Sequence, residues 1–212
     1  MKSRKTNPRL SVFETFKTKR EELTGEAVRQ RGIIIHLATE SSPLMKTRTA
    51  IAHKLAEKNG TVWQNIYSGI FRDLDEILLP LKIVEEAGRL PLRRGPKALQ
   101  EQGVPYYQLT DGGMVVAGSL DELEKDRIKI MSKFFEKNSN SKDKEFKKVM
   151  LTLLDIAPRF VFSLLKKYVE TYGNGKMDDL IPFNADSIKN ALDETITIQR
   201  ELLEGFATLP NS

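Results

Sequence analysis

The chain has no cysteine, and only two histidines and one tryptophan, in its 212 residues. Without cysteine it can form no disulfide and no thiolate metal site, which suits a reducing, cytoplasmic setting. His36 and His53 sit on separate predicted helices with no ligand-spaced carboxylate partner, so nothing points to a metal. No run of eighteen apolar residues occurs, which gives no membrane span, and the basic start MKSRKTNPRLSVF has no apolar stretch of a signal peptide. No Ser-His-Asp pattern is present, and GNGK at 173–176 lacks the surroundings of a phosphate-binding loop. Asp178 and Asp179 are adjacent and would diverge on a helix. The expectation is therefore a non-enzyme without a cofactor.

Charge is unevenly spread. Residues 1–31 hold nine Lys or Arg against four Glu, residues 32–118 ten against nine, and residues 119–212 fifteen against sixteen. The excess of +5 thus sits in the amino-terminal arm and first helices. A basic arm beside a DNA-binding module suits phosphate contact; a solvated tail is the plainer alternative.

Periodicity divides the chain into helices and one hairpin. Residues 1–9 read as an unstructured basic segment, and Ser11 with Glu14 fits a capping box for a helix over 12–23. Thr24 and Gly25 punctuate it before a second helix over 26–39, ended by ESSP. A third helix over 46–58 places Ile51 and Leu55 on one face and ends at Asn59-Gly60. Thr61 is the expected cap of a fourth, which repeats Val62, Ile66, Ile70 and Leu74 and stops near Pro80, with Gly69 a possible bend. Strands are expected near 83–92 and 104–110, joined by the basic link RRGPKALQEQG. Thr110 starts a short helix, and Ser119 with Glu122 suggests a capped helix over 120–136, with Leu123, Arg127, Ile130, Met131 and Phe134 in one stripe. A linker at 136–145 leads to FKKVMLTLLDIAPRFVFSLLKKYVETY, which Pro158 divides. A last helix over 185–205 follows Asn184 as cap.

Two segments resemble a known family. IYSGIFRDLDEILLPLKIVEE is similar to the recognition helix of winged helix regulators, and GVPYYQLTDGGMVVA resembles their second wing strand with the helix after it. The resemblance covers about residues 26–118 and implies the winged helix-turn-helix superfamily of DNA-binding transcriptional regulators. The fold class expected is mainly α with a small β-hairpin. Residues 1–25 would be a basic arm and first helix, 26–118 the winged helix-turn-helix domain, and 119–212 a helical dimerisation or effector domain.

The function implied is recognition of double-stranded DNA. Gln64, Asn65, Tyr67 and Ser68 on the fourth helix can exchange hydrogen bonds with base edges, while Thr61 and Arg72 can hold phosphates. Arg93, Arg94 and Lys97 surround Gly95-Pro96 at the wing tip and can reach backbone phosphate or a minor groove. Solvated surface is the plainer reading for Asn65, Ser68 and the wing cations, and core packing for Tyr67 and Trp63. Asp73, Asp75 and Glu76 on the same helix repel phosphate if they face a duplex. The alternative is therefore a winged-helix scaffold that binds another protein and not DNA; a helical ligand sensor would need a cavity between the last helices. The apolar stretch at 146–172 must be wrapped by neighbouring helices as an ordinary core or buried against a second subunit, and the expectation is a homodimer through the carboxy-terminal helices.

Overall fold

The computed structural model describes residues 8–19, 21–58, 60, 62–91, 101–137 and 144–192. It is mainly helical with one antiparallel two-stranded hairpin. In chain order the elements are α1 (Gly25–Thr39), α2 (Arg48–Lys58), α3 (Trp63–Arg72), β1 (Val84–Leu90), β2 (Val104–Leu109), α4 (Asp111–Gly118), α5 (Arg127–Lys137), α6 (Lys144–Ile156), α7 (Pro158–Gly173) and α8 (185–192). No helix among the described residues is long and apolar enough to cross a membrane.

The helix expected over 12–23 does not form. Leu10 and Val12 are both buried, and Thr15 pairs with Leu23 in an isolated antiparallel bridge. The backbone N–H of Ser11 donates to Gln30 Oε1 at 2.9 Å, Val12 O accepts from Arg31, and Arg9 Nε donates to Gly173 O at 2.8 Å. The segment is therefore a strap across α1 and α7. Two-residue spacing of its buried apolar side chains and partners on other elements outweigh the local capping box. The Ser11 hydroxyl is directed to Glu26 instead.

Thr24 caps α1 by accepting from Ala27 N at 3.2 Å. A short 3-10 turn, Pro43–Lys46, precedes α2, which starts two residues later than its apolar pattern suggests, with the Thr47 hydroxyl accepting from Ala50 N. Gly60 adopts the left-handed conformation that an ending helix needs (φ 60°). The expected cap Thr61 and the side chain of Trp63 lie outside what is described, and Val62 stands at the head of α3 with no side-chain cap bond. Beyond Arg72 the helix widens over Asp73–Leu78 into turns in which Leu79 N donates to Leu74 O, five residues back. Widening just ahead of Pro80 fits its ring, which would clash with the carbonyl four residues earlier in a regular α-helix.

Strands β1 and β2 pair from Val84–Leu109 to Leu90–Val104, with a bulge between Glu86 and Gly88. The Tyr106 ring packs across Gly88, where a Cβ would lie 2.9 Å from Tyr106 Oη and push the ring aside. Thr47, ahead of α2, makes a third, isolated pairing with Tyr106. Thr110 joins the base of the hairpin to α4: its hydroxyl donates to Lys82 O and accepts from Gly113 N at 3.1 Å.

The box expected from Ser119 and Glu122 is also absent. Ser119 is fully buried and donates to Val116 O at 2.6 Å, while Glu122 binds Arg31. A 3-10 turn, Asp121–Leu123, takes the place of the first helical turns, and α5 begins at Arg127. The stripe Leu123, Arg127, Ile130, Met131 and Phe134 is buried throughout. Ala157 breaks the helical path ahead of Pro158, giving α6 and α7, and Asn174 and Gly175 end α7. Asn184 Oδ1 accepts from Ser187 N, and Ser187 Oγ accepts from Asn184 N, both at 2.9 Å, which caps α8. Most of the expected linker (138–143) and residues 193–205 of the expected last helix lie outside the described residues.

One apolar core runs through all of this. It joins Leu10 and Val12 of the strap, Ile33 and Ile34 of α1, Ile51 of α2, Leu74, Tyr107, Val115 and Val116 of α4, Met131 of α5 and Leu165 of α7. An aromatic group closes its carboxy-terminal side. The Phe183 ring lies within 6.4 Å of Phe134, Phe135, Phe146 and Tyr168.

Candidate nucleic-acid interface

Helix α3 presents two unlike faces. Ile66, Ile70 and Leu74 turn inward, whereas Gln64, Asn65, Ser68 and Arg72 are exposed. Gln64, Ser68 and Arg72 follow each other at four-residue intervals, so they form one ladder of polar tips along the helix. Tyr67 departs from it: the ring is half-buried, 4.3 Å from the Phe71 ring and packed against the core. Thr61 of the expected set, and Arg93, Arg94 and Lys97 of the link, lie outside the described residues.

The acids on this helix are largely withdrawn from its outer face. Asp73 is fully buried and accepts a forked pair of bonds from Arg29 of α1, at 2.7 Å from Nε and 3.5 Å from Nη2. Arg29 reaches it by crossing α3 at Gly69, where an added Cβ would lie 2.8 Å from Arg29 Nε. The glycine is thus explained by a close approach, and α3 runs through it from Trp63 to Arg72. Asp75 pairs with Arg48 at the head of α2. The Arg48 guanidinium lies over the rings of Phe71, at 4.9 Å, and Tyr107, at 5.4 Å. Burial pushes the Tyr107 phenol above its usual range, an effect that the nearby Arg48 charge opposes. Only Glu76 of the three acids is both exposed and without an ion pair among the described residues.

Arg48 was not among the expected residues, yet it ties α2, α3 and β2 together. No local motif marks it, because its partners stand 27 and 59 positions further along the chain. Its only sequence signal is its place beside Thr47 in the first turn of a helix. Arg72 is half-exposed and keeps longer contacts with Glu26, at 3.5 Å, and Asp73, at 3.7 Å. Such contacts leave its guanidinium available to an external anion at small cost.

The basic amino-terminal region is partly consumed by internal bonds. Arg9 binds Gly173 O, Arg29 binds Asp73, and Arg31 forks onto Glu122 at 3.0 and 2.5 Å. Lys19 pairs with Glu22 on the surface. The base of the hairpin is acidic or neutral outside, with Glu85 and Gln108 bonded to each other and Glu86 paired with Arg89.

Two other features bear on what this surface can do. Leu44, Met45 and Val62, around the heads of α2 and α3, are exposed by 69%, 40% and 58%. A cavity of about 590 Å³ opens between the turn at Leu79–Glu86, the start of α4, Lys137 and Asp179–Ile181. Among the described residues no group of three or more His, Asp or Glu side chains is placed to hold a metal ion. No protein-family model, curated protein or solved structure matches the chain.

Proposed function

We propose that the chain is a winged helix-turn-helix protein that binds double-stranded DNA, a transcriptional regulator acting as a homodimer through its carboxy-terminal helices. The observation that carries the reading is the outer face of α3. Its acids Asp73 and Asp75 are paired off by Arg29 and Arg48, so the ladder Gln64, Ser68 and Arg72 stands free of two of its three negative neighbours. Helix α1, the α2–α3 pair and the hairpin follow in the order of a winged helix, and the isolated Thr47–Tyr106 bridge pins the segment ahead of α2 to the hairpin. Gln64, Asn65 and Ser68 would read base edges, Arg72 and the link cations Arg93, Arg94 and Lys97 would hold phosphates.

A second reading has its own support. The bare apolar side chains Leu44, Met45 and Val62 beside the same face suit contact with another protein better than contact with phosphate.

Fluorescence anisotropy with a random-sequence duplex pool separates the two. Affinity should fall steeply with salt, and Arg72→Ala should weaken binding on all sequences and lower the salt slope by about 1. Gln64→Ala should instead change which sequences are preferred. No binding to any duplex at low salt would replace the DNA reading with the protein-binding one.

A further inference from the structure

Among the described residues, the outer face of α6 is the least covered apolar surface of the carboxy-terminal helices. Val149, Ile156 and, at the start of α7, Phe160 are 54%, 71% and 57% exposed. The inner face of α6 is taken up by Phe146, Met150, Leu153 and Leu154, which pack into the core. What remains outward is Glu145, Lys148, Val149, Thr152, Asp155 and Ile156, a stripe recurring at three and four residues.

The stripe has two unlike flanks. At about 100° of rotation per residue, Val149 and Ile156 fall on one side of Thr152, and Lys148 and Asp155 on the other. Neither Lys148 nor Asp155 has an ion-pair partner among the described residues.

We infer that a second copy of the chain docks here, α6 against α6 in antiparallel sense about a two-fold axis passing near Thr152. This rests on the homodimer reading above and names its surface. A two-fold axis that sets helices antiparallel keeps each flank on its own side, so apolar flank meets apolar flank and charged flank meets charged flank. Residues three positions from Thr152 on one side then face residues four positions away on the other. Val149 comes opposite the partner's Ile156, and Lys148 opposite the partner's Asp155, each contact occurring twice. Phe160 extends the apolar strip at both ends. A parallel pair would need its two-fold along the helices, which exchanges the flanks and sets Lys148 against the partner's Val149 and Asp155 against the partner's Ile156, so the unlike flanks select the antiparallel arrangement.

Sedimentation equilibrium on the full-length protein tests this. Wild type should be dimeric, and Ile156→Asp should raise the dissociation constant by about a hundredfold with the helical content kept, because the side chain is mostly outside the core. Lys148→Glu and Asp155→Lys should each weaken the dimer by about tenfold, through like charges facing across the axis. The Lys148→Glu/Asp155→Lys double variant restores unlike pairs and should return to within about threefold of wild type, which a folding defect would not do. A wild type that stays monomeric at about 50 μM would overturn the dimer reading together with this surface. A dimer unmoved by Ile156→Asp would overturn the surface alone, and a double variant no tighter than the singles would overturn the antiparallel two-fold.

Discussion

The two ends of the core are held by different means. Around α1, α2 and α3 the fixed contacts are charged: Arg29 on Asp73, Arg48 on Asp75, Arg31 on Glu122. Around α5, α6, α7 and α8 they are aromatic, with Phe183 at the centre of four rings. Ring packing contributes area without fixing a helix's rotation closely, whereas a forked guanidinium–carboxylate pair fixes direction and register. The charged ties therefore set which face of α3 looks outward, and the rings supply bulk stability.

The largest expected effect lies on the aromatic side. Phe183→Ala removes a side chain that is only 6% exposed and should cost about 4 kcal/mol in chemical denaturation. Hydrogen exchange in α3 should stay ordered as in the wild type relative to its other helices. Selective loss of protection in α3 would show that the two ends are not independent.

Next comes Arg29→Ala, which leaves the Asp73 carboxylate buried without its fork and should cost about 3 kcal/mol. Here the loss of amide protection should concentrate in α3 and the wide turn after it. Uniform loss across all helices would mean that the ion pair contributes stability but no positioning.

The smallest effect concerns acid. Burial pushes the Glu122 carboxyl up, but the hydrogen bond and charge of Arg31, with a backbone hydrogen bond and the Lys58 charge, together more than offset this and hold it below the usual range. A lowered folded value means that Glu122 stabilises the fold above the ordinary carboxylate pKa, about 4.3, and that this contribution is lost as pH falls through and below it. Between about pH 6 and about pH 3 the Tm of wild type should fall further than that of Glu122→Gln. Equal slopes would remove Arg31–Glu122 from the charged ties.

What could be read in the sequence was local. Pro158 as a divider, Thr110 as a helix start, Asn184 as a cap and the switch to alternating period at the hairpin all rest on neighbouring residues, and all four appear. Ser11–Glu14 and Ser119–Glu122 look like local signals of the same kind, but Ser11, Glu122 and Ser119 spend their bonds on α1, Arg31 and the end of α4. The candidate interface was legible to the same extent. Gln64, Ser68 and Arg72 share a face by spacing alone. That Asp73 is silenced could not be seen, because Arg29 is 44 residues away.

Helix α4 has a mechanical consequence. Its glycines are seated differently at the two ends: a Cβ on Gly113 would lie 2.1 Å from the backbone oxygen of Ile83, whereas one on Gly118 would lie 2.8 Å from Met131 Sδ and 3.2 Å from a Leu165 methyl, both side-chain atoms. Arg127 secures the far end, donating to Gly118 O at 2.8 Å and Leu120 O at 3.1 Å. Backbone thus bears on backbone at the foot of the hairpin, whereas at the other end α4 meets α5 and α7 through the Met131 and Leu165 side chains. Helix α4 is therefore seated without play only at Ile83, the root of β1, and a tilt of α5 or α7 reaches it through a flexible methionine and a leucine.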